Sequence, residues 1–100
     1  NMLLLWAMKT KYFQDKEMVV LTPACTWATN ISSMIQFGID FVVADNDLFN
    51  FGISEKALIE AKKISKKENK DINVILITHL LGSPSDINLI KKHFPITEFI

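Results

Sequence analysis

Three short segments hold the residue types that could do chemistry. In "VVADND" an apolar run ends in Asp45 and Asp47, and two carboxylates at i and i+2 beyond a strand can share a hard divalent cation such as Mg2+ or Mn2+. In "NVILITH" another apolar run delivers His79, whose imidazole could hold or move a proton, or satisfy loop backbone groups. "TPACTWATN" carries the one cysteine, Cys25, beside Thr26 and Trp27. A thiol becomes a nucleophile only when a base ionises it, and nothing nearby supplies one, so Cys25 reads as a small buried thiol. Trp27 offers a flat aromatic face, which either packs in the core between sheet and helix or stacks on a planar ligand at the rim of a sheet. His93, late in a helix, reads as a favourable charge at a helix C-terminus.

The elements that must position these groups follow from periodicity. "MLLLWAMKTKYF" (residues 2–13) is apolar almost all round and rich in helix formers, which predicts a buried helix, and "EMVVLT" (17–22) predicts a strand. "TNISSMIQFG" places Ile31, Met34 and Ile35 at helical spacing and ends at Gly38, where a helix stop is favoured; "DFVVAD" (40–45) is the next strand. Ser54 predicts an N-cap for "EKALIEAKKISKK", with Leu58, Ile59, Ala61 and Ile64 as its apolar stripe. "NVILITH" (73–79) is a continuously apolar strand. Gly82 and Pro84 shape the turn into a last helix over 85–93, opened by "SPSD", and a fourth strand starts at Ile96. Strands that alternate with helices define an α/β fold with a mainly parallel sheet and helices on both faces. Ligands of such open sheets sit beyond the carboxyl ends of the strands, so the segments after the first three strands should converge on one crevice.

Composition narrows the functions. A chain of 100 residues is at most one domain, and one this size buries only roughly 60–65% of its unfolded surface. Eleven lysines and no arginine balance eleven acids, so no strong field draws nucleic acid or an anionic membrane. No apolar run approaches the ~20 residues of a membrane span, and the start lacks the basic residues of a signal peptide. One cysteine allows no internal disulfide, which fits a reducing cytoplasm. "KKISKKENK" reads as a solvated helix end.

Taken in order and spacing, "VVLTPACTWATNISSMIQFG", "VVADNDLFNFGIS" and "VILITHLLGSPSD" resemble three successive blocks of the DegT/DnrJ/StrS family of pyridoxal-phosphate-dependent sugar aminotransferases. "NMLLLWAM" resembles the helix after that family's phosphate loop, so the likeness covers nearly the whole chain. It implies the large domain of a fold-type-I enzyme, here as a partial cofactor domain over residues 1–100, cut at both ends. It implies pyridoxal 5'-phosphate as cofactor, Trp27 as the residue stacked on its ring, and Thr26 and His79 near cofactor or substrate. Thr26 and Thr29 would tie the loop to the next helix through hydroxyl bonds to backbone. The parent enzyme would move an amino group, from glutamate, to a keto group on a nucleotide-linked deoxysugar, as a cytoplasmic homodimer. Some relatives carry histidine in place of the lysine and dehydrate the sugar instead. The lysine that would hold the cofactor and the acid at the ring nitrogen fall beyond this chain, which alone should be inactive.

Two other classes remain at this point. "VVADND" is also similar to the Asp-x-Asp of haloacid-dehalogenase-type phosphatases and of metal-dependent glycosyltransferases. Leu48-Phe49 departs from the phosphatase pattern, and no arginine is present to grip phosphate as a bidentate fork. A non-catalytic binding module of flavodoxin-like shape would share the same alternation of strands and helices.

Overall fold

The computed structural model describes residues 2–95 and the backbone of 98–99. Its elements run α1 (Met2–Tyr12), β1 (Val19–Pro23), α2 (Ala28–Gln36), β2 (Asp40–Ala44), α3 (Glu55–Glu68), β3 (Val74–Ile75), a 3-10 turn (Leu80–Gly82), α4 (Ile87–His93) and β4 (Glu98–Phe99). The sheet has the order β2-β1-β3-β4 with every pairing parallel. The expected α/β fold is therefore present. The fourth strand lies where it was expected, though Ile96 and Thr97 at its start are outside the described residues.

Alternation along β1 splits the core in two. Val19 and Leu21 face a cluster with Leu58, Ala61, Ile90 and Phe94 from α3 and α4. Met18 and Val20 face Leu5, Met8, Met34 and Val74 on the side of α1 and α2. All five residues of β1 are buried, as a strand covered on both faces requires.

The helix ends obey local chemistry. Ser54 Oγ accepts the Ala57 amide, so the expected N-cap is in place. At the end of α2, Gly38 takes φ +59° while the Ile39 amide donates to Met34 O (2.9 Å) and the Gly38 amide to Ile35 O (3.2 Å), the bond pair of a Schellman stop. Asn69, at φ +52°, ends α3 in the same way.

Three expectations about faces are corrected. Helix α1 is not buried all round: Leu5 and Met8 are, but Leu3 is 77% exposed and Met2, Leu4 and Trp6 about half. A helix with no polar face gives periodicity nothing to choose by, and the sheet can cover only one side of it. On α2 the inward positions are Asn30, Ser33 and Met34, and Ile35 points out. On α3 they are Ala57, Leu58 and Ala61, with Ile59 and Ile64 in solvent. Strand β3 pairs over only two residues, shorter than the apolar run suggested, although the Leu76 amide still donates to Leu21 O.

Lys70 lies 2.9 Å from Asp40, and this hydrogen bond holds the Asp40 carboxyl below the usual carboxylate range against the opposing effect of burial. The same bond raises Lys70. A lowered carboxylate contributes stability that is lost as pH falls through its folded pKa, and a raised ammonium contributes stability lost as pH rises through its own. The pair thus stabilises between about pH 4 and about pH 10, weakly, because solvent screens it. Asp40→Asn should flatten the acid limb of the urea midpoint plotted against pH; an unaltered limb contradicts this. Adjacent substitutions on α3 should separate sharply at neutral pH: Leu58→Ala should cost about 2–5 kcal/mol and Ile59→Ala within about 0.5 kcal/mol, measured by urea denaturation.

Candidate functional site

The order β2-β1-β3-β4 locates the crevice. From β1 the chain passes through α2 to β2 on one side, then through α3 back across β1 to β3 on the other. Helices α2 and α3 pack on opposite faces, as the two core clusters show. The strand order reverses between β1 and β3, and ligands of open α/β sheets bind outside the carboxyl ends at such a point.

The loops there are fastened to one another. Loop 1 (residues 24–27) follows β1, loop 2 (45–53) follows β2 and loop 3 (78–86) follows β3. The hydroxyls of Thr26 and Thr78 lie 2.7 Å apart, joining loops 1 and 3 across the switch point. Asn46 joins loops 1 and 2: its Oδ1 accepts the Cys25 amide (2.7 Å) and its Nδ2 donates to Phe51 O (2.5 Å). Gly52 runs so close to Ser85 that a Cβ there would sit 3.3 Å from the Ser85 Cα, which brings loop 2 against loop 3. The expected convergence is observed.

Trp27 occupies the N-cap position of α2 with extended backbone and makes no capping bond through its side chain. Its indole is 72% exposed, so it is not a core residue wedged between helix and sheet. A planar aromatic ligand could be laid on it. Thr26 is half-buried; its hydroxyl meets Thr78 and the Asn30 amide (2.6 Å), side chains rather than the expected backbone groups. Thr29 lies within α2, and its backbone carbonyl accepts the Ser33 hydroxyl inside the helix, so this bond does not tie loop 1 to it. His79 is exposed and directly follows Thr78. The Ser85 amide donates to His79 Nδ1 (3.1 Å), so in the neutral ring the proton sits on Nε2 and that nitrogen is the one free to donate. This is the loop-satisfying role, and it leaves one polar atom available to a ligand.

Cys25 is a further correction: it is exposed, because loop 1 turns outward after Pro23. Asp47 Oδ1 accepts the amides of Phe49 and Asn50, and Asp45 Oδ1 accepts that of Asn46, so both carboxylates turn the chain. Among the described residues no three His, Cys, Asp or Glu side chains cluster to hold a metal. His93 Nε2 lies 3.1 Å from Glu55 Oε1, pairing α4 with the start of α3. Sequence reasoning missed Asn30, Asn46, Thr78 and Ser85. The signal at Asn30 was its i+4 spacing from Thr26.

Two cavities lie at the opposite end of the sheet. One of about 490 Å³ is bounded by Lys9, Phe13, Met18 and Asp40, and one of about 410 Å³ by Trp6, Thr10 and Phe37. Both sit by the amino ends of β1 and β2, away from loops 1–3. The switch point is an open edge here, and the chemistry of its side chains identifies it better than enclosed volume does.

Fold and edge together define a class: an open, doubly covered α/β sheet that takes its ligand at the switch point. Residues 1–94 match the DegT/DnrJ/EryC1/StrS aminotransferase family, and the chain belongs to that family. A GDP-4-keto-6-deoxymannose-3-dehydratase (ColD) mutant with bound GDP-perosamine is similar to it at a TM-score of 0.75 and 26% identity, over 93% of this chain and 23% of that one. A GDP-4-keto-6-deoxymannose-3-dehydratase with a trapped PLP-glutamate geminal diamine has a TM-score of 0.65 at 23% identity, over 99% and 25% of the two chains, and shows the fold alone. The chain spans about a quarter of the length of either structure. No curated protein matches it significantly in sequence.

An exposed thiol should titrate in the native state. With Ellman's reagent and no denaturant, Cys25 should release one equivalent of thiolate within minutes, and Cys25→Ser none; a reaction that waits for denaturant would place the thiol inside.

Proposed function

We propose that this chain forms part of the cofactor-binding domain of a pyridoxal 5'-phosphate-dependent aminotransferase acting on a nucleotide-linked keto-deoxysugar, with glutamate as the amino donor. The observation that carries the reading is Trp27, 72% exposed on the carboxyl edge of β1, where the sequence resemblance puts a ring-stacking residue. A flat, electron-poor pyridinium laid on an indole gains roughly 0.5–1.5 kcal/mol beyond area burial. When bound, the cofactor supplies an electron sink next to the substrate amine. This chain's own residues hold it: Trp27 supports the ring, Thr26 fixes the loop beneath, and His79 offers its Nε2 proton to an acceptor on cofactor or sugar. Loops 1–3 contain no lysine, so the group that would bind the cofactor covalently is not among them.

Dehydration of the sugar, rather than amino transfer, is the second reading. It is favoured by the similar solved structure at 26% identity, a 3-dehydratase. The same reading places the enzyme in the cytoplasm as a homodimer. The exposed thiol of Cys25 suits a reducing compartment, and the apolar outer face of α1, with Met2, Leu3, Leu4 and Trp6, suits a contact surface. No helix among the described residues is long and apolar enough to cross a membrane.

In the Trp6→Phe background, Trp27 is the sole indole. Pyridoxal 5'-phosphate should quench its fluorescence saturably, and borohydride reduction followed by peptide mapping should spread the label thinly over surface lysines. Absence of saturable quenching removes the stacking role; a single lysine labelled stoichiometrically overturns the statement that the covalent partner lies elsewhere.

A further inference from the structure

We propose that Asn30, Thr78 and Asn46 are positioning residues that lock loop 1 between loops 2 and 3 and so fix the attitude of the Trp27 indole over the crevice; the inference rests on Trp27 being the ring-stacking residue. An indole that is 72% exposed has little packing of its own to orient it, and no capping bond restrains it. Its direction is therefore set by the backbone before it. Each residue of that backbone is tied to a different element: the Ala24 amide donates to Ala44 O (2.8 Å), the Cys25 amide to Asn46 Oδ1 (2.7 Å), and the Thr26 hydroxyl meets Thr78 (2.7 Å).

Asn30 ties both ends of the last of these. Its amide donates to Thr26 Oγ1 (2.6 Å) and reaches Thr78 Oγ1 at 3.5 Å, so the two hydroxyls, which bond each other, share one donor from α2. Asn30 is 3% exposed, and a buried polar network that is satisfied rigidifies the groups in it. The Thr26–Thr78 link spans the strands between which the order reverses, where α2 follows β1 and α4 follows β3 on opposite faces of the sheet. A shelf held in place before the ligand arrives spares the cost of ordering it on binding.

Time-resolved fluorescence anisotropy of Trp27 in the Trp6→Phe chain tests this. Thr26→Val, Asn30→Leu and Asn46→Ala should each at least double the amplitude of the subnanosecond component, while Thr26→Ser, which keeps the hydroxyl, should restore the parent decay. Ser33→Ala is the control: it removes a buried hydroxyl from the same helix, one that bonds Thr29 O (2.6 Å), and should lower the unfolding midpoint without loosening Trp27. A parent-like decay in Thr26→Val and Asn46→Ala, or equal loosening in Ser33→Ala, overturns the proposal. Should Thr26→Val or Asn30→Leu unfold, Asn46→Ala decides it, since Asn46 lies in a surface loop. These readouts need no cofactor, so failure of pyridoxal 5'-phosphate to quench Trp27 would sink the stacking role while leaving the loop result standing.

Discussion

Everything in this molecule hangs on β1 being paired on both edges and covered on both faces. Its neighbours β2 and β3 complete its backbone hydrogen bonds, and its side chains alternate between the two cores on either face of the sheet. A strand in that position cannot tolerate a polar outward face, which is why residues 19–21 are Val, Val and Leu. The same pairing makes β1 the strand from which the chain departs first to one side and then to the other. The crevice is thus a consequence of strand order before any loop residue is considered.

What the loops add is rigidity at an edge with few apolar contacts of its own. Phe51 and Leu81 both adopt left-handed backbone, at φ +57° and +51°, where an L side chain costs roughly 1–2 kcal/mol per residue. Both lie on the loops that line the edge. Thr22, wholly buried one residue before Pro23, keeps a hydroxyl without a partner among the described residues, a further local cost on the strand that leads into loop 1. Conflicts of this kind are usual where a surface is shaped for a ligand rather than for stability. The side-chain links Thr26–Thr78 and Cys25–Asn46 oppose the tendency of such loops to relax.

Much of the architecture was legible because strands and caps act locally. Ser54 at the head of α3 and Gly38 after α2 each specify a backbone event within a few residues, and the Val/Ile runs could only be buried strands. The faces of the helices were less legible. Ile35, Ile59 and Ile64 look inward by hydrophobicity, yet the helices bury Asn30, Ser33, Ala57 and Ala61, whose small or paired side chains allow close approach to the sheet. Cys25 was read as buried on residue type, whereas the turn after Pro23 carries it out. The site was half legible: Trp27, Thr26 and His79 sit on the loops that converge, but the bonds that make the loops converge join residues 21 and 52 positions apart, and a pattern read along the chain has no access to such pairs.

The open choice between amino transfer and dehydration follows from what this edge contains. On the proposed reading, Trp27 supports a ring, Thr26 holds the support and His79 offers one proton to a fixed acceptor. Discrimination between two reactions on one cofactor requires a group that moves a proton at one stage and not the other. Of the three, only His79 keeps a polar atom free for such a task, its Nε2, because its Nδ1 accepts the Ser85 amide and the Thr26 hydroxyl meets Thr78. On the proposed reading, the edge built by β1 and β3 serves to hold and orient the ring, and the lysine that would bind the cofactor is not on its loops.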